Sequence, residues 1–326
     1  MAEKNTKKTE KFDILDIALS QITFLSCKEK IILRKNIDNL NELAILSLKD
    51  FEKFLHRDIK AKFFDGKLLA ERTRKSAAVM EKLSIGALSF TSDDFPAMLR
   101  EWFDPPYLLF YRGNPGCLEK PCVSVVGTRR ILNQTAQNTL DFSKTAAREK
   151  MCVVSGLAYG VDAFAHKGAL DSEEESCTCA VLPCGIDTVT PSAHKSLALR
   201  IIRSGGCLIS EYAPFSPVEN WRFVQRNRII AGLSPSTVVM QAPPGSGALI
   251  TAQFAVDNNR ELMLHECCFL EDAKKINGKK NAFNSVEKYR MEGAPVIGNF
   301  EDFVKVMNDD RINIKKNIQL ELFTDQ

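Results

Sequence analysis

The sequence predicts an α/β fold: a doubly wound, mostly parallel Rossmann-like sheet preceded by a small all-helical domain. Three observations carry that expectation. Short, nearly all-apolar runs recur at PCVSVVG (121–127), CVVSG (152–156), CAVLPCG (179–185), CLISE (207–211), TVVMQA (237–242) and ELMLHE (261–266). Helical patterns separate them, which is the signature of a parallel sheet covered on both faces. The strand ends and the turns after them are rich in Gly, Ser, Thr and Arg, and in such sheets ligands bind at the carboxyl ends of the strands.

Taken in order, MAEKNTKKTEK (1–11) is lysine-rich with no apolar segment behind it, so it reads as a disordered basic tail and not as a signal peptide. Residues 12–90 carry short amphipathic patterns (FDILDIALSQI, LNELAILSL, FEKFLHRDI) and no strand signal, which predicts a helical domain. His56 stands among charged neighbours there and reads as a surface residue. In 91–117, Pro96, Pro105 and Pro106 flank a strand-like Tyr107–Tyr111, which predicts an extended lead-in segment clamped onto the next domain. The Rossmann-like domain is expected over 118–300. A C-terminal helix, with Asn299 as its start, and a tail follow over 301–326.

Composition sets the outer limits. At 326 residues the chain calls for two or three domains. No apolar run approaches the roughly 20 residues that cross a bilayer, so no membrane role and a cytoplasmic location are expected. A net charge of +3 means that nucleic-acid contact must come from a local patch. The ten cysteines include a C-x-C at Cys177 and Cys179, Cys184 at a strand end, and the adjacent Cys267 and Cys268, but no paired C-x2-C knuckles. No metal site is expected, and Cys122, Cys152 and Cys207 read as small buried hydrophobes.

The stretch from Asn220 to Ala255 concentrates the chemistry. Arg226-Asn227-Arg228 heads an apolar run; a strand follows, and the turn Pro243-Pro244-Gly245-Ser246-Gly247 opens directly into a helical pattern. Such a turn leaves backbone N–H groups aimed at one spot, which attracts anions. The other strand ends supply Gly127-Thr128-Arg129-Arg130, Ser155-Gly156, Pro183 to Asp187, and Ser210-Glu211. Glycine permits close backbone approach, hydroxyls offer hydrogen bonds and arginine offers a bidentate fork, so a phosphate-rich partner is expected. A polynucleotide backbone would thread past Arg129, Lys195, Arg226 and Arg228, with Phe223 or Tyr159 stacking on a base or else buried as core.

Catalysis has candidates but no assembled set. Asp162 and His166 lie one helical turn apart, as a proton shuttle or a structural pair, and Glu211 is the best lone carboxylate. The first turn lacks G-x-G-x-x-G, and no P-loop or nucleophile elbow occurs. No cofactor is expected.

VVGTRR, VVSGLAYGVDAFAHKGAL, AVLPCGID, LISEYAP, FVQRNRIIAGLS and SGALITAQFA occur in this order. Together they closely resemble the DprA/Smf family of DNA-processing proteins over roughly 90–300, and the helical region is compatible with that family's sterile-alpha-motif-like domain. The resemblance implies a non-catalytic, homodimeric single-stranded-DNA-binding protein. Such proteins protect strands during natural transformation and help load the RecA recombinase. It places the family's binding turn on Gly127, Thr128 and Arg129, its RNR cluster on Arg226, Asn227 and Arg228, and a further turn on Ser246, Gly247 and Thr251. With the rim residues Ser155, Gly156, Lys195, Phe223 and Gly245, these form the expected phosphate and nucleic-acid site. The sequence departs from the family at Thr190-Pro191, His194-Lys195, Gln241 and Glu266-Cys267, and no C-terminal winged-helix domain is expected.

The alternative is a nucleotide phosphoribohydrolase on a related scaffold. Those enzymes carry P-G-G-x-G-T followed by Glu, where this chain reads Thr251-Ala252-Gln253. A third reading is a dimeric scaffold whose rim binds only a stray anion.

Overall fold

The computed structural model describes residues 12–172, 178–275 and 284–309; the basic tail, Cys177, the tail beyond 309 and most of the Lys274–Lys280 stretch lie outside them. Five helices open the described chain: α1 (Ile14–Ser20), α2 (Cys27–Asn36), α3 (Leu40–Ile45), α4 (Leu48–Leu55) and α5 (Gly66–Leu83). Their starts follow local chemistry. Asp13, Asn39 and Asp65 accept from backbone N–H groups of the first turns of α1, α3 and α5, and Ser26 forms a capping box with Glu29 at α2.

The α/β part comprises β1 (Gly86–Ser89), α6 (Ala97–Arg100), β2 (Leu108–Gly113), β3 (Cys122–Gly127), α7 (Asn133–Arg148), β4 (Cys152–Ser155), α8 (Val161–Leu170) and β5 (Thr178–Val181). It continues through α9 (Lys195–Arg203), β6 (Cys207–Ser210), α10 (Asn220–Gly232), β7 (Ser236–Gln241), α11 (Gly247–Asp257) and β8 (Glu261–His265). The short α12 (Glu271–Lys275), α13 (Val286–Met291) and β9 (Val296–Ile297) precede a final helix, α14, over 300–309. Asn299 caps α14 by accepting from Asp302 N at 3.0 Å, as expected from the sequence.

The nine strands of the described residues share one sheet in the order β1-β2-β6-β5-β4-β3-β7-β8-β9. From β6 to β9 every pairing is parallel. The six runs read from the sequence are β3 to β8. Two features differ from expectation. Gly86–Ser89 is a strand inside the region read as strandless, and it pairs antiparallel with β2, which pairs antiparallel with β6. The lead-in segment thus supplies β2, the second strand of the sheet, between the edge strand β1 and β6, and Pro96, Pro105 and Pro106 fall outside the ladder, where their missing N–H is harmless.

On one face α7, α8 and α14 pack on Val123, Val125, Val153 and Val238, while α9 and the N-terminal helices pack on Ala180 and Leu208. The helical region therefore shares a continuous core with the sheet: Leu15, Leu33, Phe51 and Met80 belong to the same buried cluster as Phe110 and Leu182. The opposite face lies under α10 and α11, with Cys122, Cys152, Cys179 and Cys207 among its apolar residues. All nine described cysteines are buried as reduced thiols, in keeping with their reading as small hydrophobes.

Chain order reverses between β3 and β7, because β4, β5 and β6 run to one side and β8 and β9 to the other. Crevices in open parallel sheets form at such a switch point, outside the carboxyl ends of the strands.

Candidate nucleic-acid interface

The β3 end is pinned by its neighbours. Thr128 N donates to Gln241 O at 2.7 Å, Val161 N donates to Thr128 O at 3.2 Å, and Arg130 N donates to Thr128 Oγ1 at 3.1 Å. Gly160 has a φ of +73°, and a Cβ there would lie 2.2 Å from Thr128 O, so the turn after β3 and the loop after β4 interlock only through glycine. Arg129 is left exposed on a fixed turn, its guanidinium carbon 5.2 Å from the Phe223 ring centroid.

Helix α10 brings Phe223, Arg226 and Asn227 to one side, at i, i+3 and i+4. Asn227 Nδ2 donates to Gly247 O at 3.1 Å, which ties α10 to the N-terminus of α11. The result is a cavity of about 310 Å³ at the switch point, lined among others by Gly127, Thr128, Arg129, Phe223, Arg226, Asn227, Ser246, Gly247 and Thr251. Nine of the fourteen residues expected to contact nucleic acid thus meet in one place.

Its electrostatics are unusual. Arg226 is only 4% exposed, and its Nε and Nη1 have no hydrogen-bond partner among the described residues. Burial pulls its guanidinium down to about 10; the Asp162 carboxylate opposes that and Arg129 adds to it. Burial in turn raises Asp162, against the pull of Arg226, the backbone N–H groups of Ala158 and Gly156, and Arg129. Two guanidiniums face one carboxylate. The cavity is net cationic, with donors unspent, so the ligand it suits is an anion that accepts hydrogen bonds. Ser246 Oγ, also without a partner among the described residues, adds a hydroxyl beside it.

The remaining five residues lie elsewhere, each for a local reason. Arg228 follows Arg226 by two residues, about 200° around the helix. Its guanidinium meets Glu211 at 2.6 Å and Asp104 at 3.3 Å instead of the cavity. Burial lowers this group, but the two carboxylates outweigh burial and raise it overall. Ser155 is still within β4, fully buried, and donates to Val125 O at 2.7 Å. Gly156 sits behind Arg226 and serves by having no side chain. Gly245 supplies a positive φ of 69° and spends its N–H on Asn284 O at 3.0 Å. Lys195 opens α9 beside a different cavity.

Asp162 and His166, legible in the sequence as a proton shuttle or a structural pair, do not face each other. His166 Nδ1 lies 2.7 Å from Thr178 Oγ1, buried against β5, while Asp162 lines the cavity. Gln241, one of the departures noted above, is buried and its Oε1 accepts from Leu132 N at 3.2 Å. Among the described residues there is no cluster of His, Cys, Asp and Glu able to hold a metal.

A mostly parallel, doubly wound sheet with a switch-point crevice defines a Rossmann-like protein, and the cationic lining of that crevice suits an anion. The comparisons with known proteins narrow that class. The family model of DNA recombination-mediator protein A matches residues 86–308, beginning at the first residue of β1. Protein Smf of Borreliella burgdorferi is 31% identical over 255 residues, covering 78% of this chain and 79% of that protein. The crystal structure of DNA processing protein A from Streptococcus pneumoniae superposes with a TM-score of 0.67 at 26% identity, covering 90% of this chain and 98% of that one. DNA processing protein A from Helicobacter pylori, described as a single-stranded DNA binder, shares the fold with a TM-score of 0.57 at 24% identity, over 70% of this chain and 97% of that one. The chain belongs to the DNA recombination-mediator protein A family, the DprA/Smf proteins.

Proposed function

We propose that the protein binds single-stranded DNA across the crevice between β3 and β7. It acts there as a recombination mediator without catalytic activity, protecting the strand and helping to load the RecA recombinase, as a cytoplasmic homodimer. The observation that carries the reading is Arg226, a buried cation whose Nε and Nη1 have no hydrogen-bond partner among the described residues at the floor of an open cavity. A phosphodiester supplies the charge and the acceptors it lacks. Arg129, exposed at the rim with Phe223 beside it, offers a second phosphate contact and a ring on which a base can stack. Family membership and the single-stranded DNA bound by the Helicobacter pylori relative support the same reading. No helix among the described residues is long and apolar enough to cross a membrane.

The phosphoribohydrolase reading lacks a suitable carboxylate. The start of α11 carries none, and Asp162 is engaged by Arg226 and by Ala158 N at 3.3 Å. Base release from nucleoside monophosphates by the purified protein would restore that reading.

The test is a titration of oligo-dT and of duplex of equal length at two salt concentrations. Tighter binding of oligo-dT is expected, and Arg129→Ala should shrink the salt slope by about 0.7, the share of one single-strand phosphate. Equal affinity for both ligands, or an Arg129→Ala protein that binds as the parent does, sinks the proposal.

A further inference from the structure

A second cavity, of about 280 Å³, lies beside α9. Lys195, Leu199 and Ile202 line it from one stripe of that helix, at i, i+4 and i+7. Arg112 reaches it from β2, where it pairs with Leu208, and Asp187 and Val189 close it from the loop after β5. Leu199 is 47% exposed, an apolar residue that the fold itself does not use. Neither Arg112 nor Lys195 takes part in an ion pair among the described residues.

The two cavities are joined by a short bridge. Ala158 lines the crevice and Tyr159, next in the chain, is 49% exposed. The Tyr159 ring stands edge-on to His194 at 4.9 Å, and His194 Nδ1 lies 2.8 Å from Leu157 O. The residue after His194 is Lys195, at the mouth of the second cavity. Crevice, aromatic ridge and slot therefore follow one another, from the carboxyl ends of β3 and β7 to the sheet face beneath α9.

We propose that the slot receives one nucleobase of the same strand that occupies the crevice, an inference that rests on the single-stranded-DNA reading above. The apolar walls, Val189, Leu199 and Ile202, suit the faces of a planar ring. Arg112 donates to a base carbonyl, Asp187 accepts from an exocyclic amine or ring N–H, and Lys195 meets the attached phosphate. Asp187 keeps acceptor capacity, since among the described residues only its Oδ1 is engaged, by Phe215 N at 3.0 Å. The volume lies just below the range of drug-sized ligand sites, roughly 300–1,000 Å³, which suits a single ring system. Both a donor and an acceptor inside an apolar slot with a cation at its mouth match a nucleotide better than an aliphatic peptide anchor.

The experiment compares a short oligo-dT of about 4 nucleotides with a longer one of about 16, titrated by calorimetry. It uses the parent protein, Leu199→Glu and Arg129→Ala, with circular dichroism as the fold control. Leu199→Glu adds a carboxylate at an exposed helix position. It is expected to weaken the longer oligonucleotide about tenfold and to leave the short one unchanged, while Arg129→Ala weakens both. Arg112→Ala, which alters no apolar wall, should repeat the Leu199→Glu pattern. If Arg129→Ala weakens both lengths and the slot variants weaken neither, the slot proposal is overturned, the crevice stands, and a peptide becomes the fitting occupant. If Arg129→Ala changes neither length, the crevice reading falls and takes the slot with it.

Discussion

Gly156 lies directly against the Arg226 guanidinium: a Cβ built on residue 156 would fall 1.6 Å from Nη1 and 2.5 Å from Cζ. No rotamer adjustment of an alanine removes that overlap, so the arginine must move. The SGLAYG loop and the RNR helix are thereby read as one device, in which a missing side chain on β4's exit makes room for a cation from α10.

Gly156→Ala is expected to weaken oligo-dT binding about tenfold, close to 1.4 kcal/mol, with the fold retained. Combined with Arg226→Ala it should add almost nothing, because both changes remove the same contact. Fluorescence anisotropy on the two single variants and the double variant checks this. Additive losses would show that Gly156 acts on something other than Arg226.

The two arginines of the RNR cluster should separate stability from binding. Arg228→Ala leaves Glu211, whose side chain is 20% exposed, without its 2.6 Å partner. A loss of about 3 kcal/mol is expected, the range found when one member of a buried pair is removed. Arg226→Ala removes a buried cation with unspent donors, so stability should hold or rise while DNA affinity collapses. Urea midpoints and anisotropy, measured on both variants, give the two readouts. The opposite ranking in either column would reverse the roles assigned to them.

Stability should fall in mild acid because of His166. Burial pushes this imidazole down to about 3, with His194 and Arg226 adding to the effect. An unfolded chain takes up that proton near pH 6.5. Between these values the unfolded state holds more protons, so stability is complete above about pH 6.5 and is lost as pH drops, by about 2 kcal/mol at pH 5. His166→Asn should flatten that part of the profile. Urea denaturation of both proteins at pH 5 and 7 measures it, and an unchanged slope in the variant would assign the acid sensitivity to another group.

The parallel strands were legible because burial on both faces leaves an unbroken apolar run, and each observed strand lies within a residue or two of its run. The crevice was legible for the same reason, since strand ends carry their chemistry in contiguous motifs such as GTRR and GSG. Orientation was harder to see. Arg226 and Arg228 look equivalent in a string and are opposed on a helix, which the 100° step per residue would have revealed. Ser155 reads as a rim residue from its place beside Gly156 at the end of its run, whereas the strand ends with the Ser155 side chain inside. β1 escaped notice because GALS is short, small and only half-buried, with no β-branched residue to mark it. Asp162 stands out in the sequence beside His166, but its partner, an arginine 64 residues further on, follows only from the fold.

The antiparallel pair β1–β2 also has a bearing on how the chain is made. Gly113 must find Cys207, so these early strands leave the ribosome long before β6 exists to receive them. Until then β2 offers an unclaimed hydrogen-bonding edge to any other extended chain. Vectorial synthesis therefore makes this the aggregation-sensitive interval, and completing the sheet is a late, non-local event in folding.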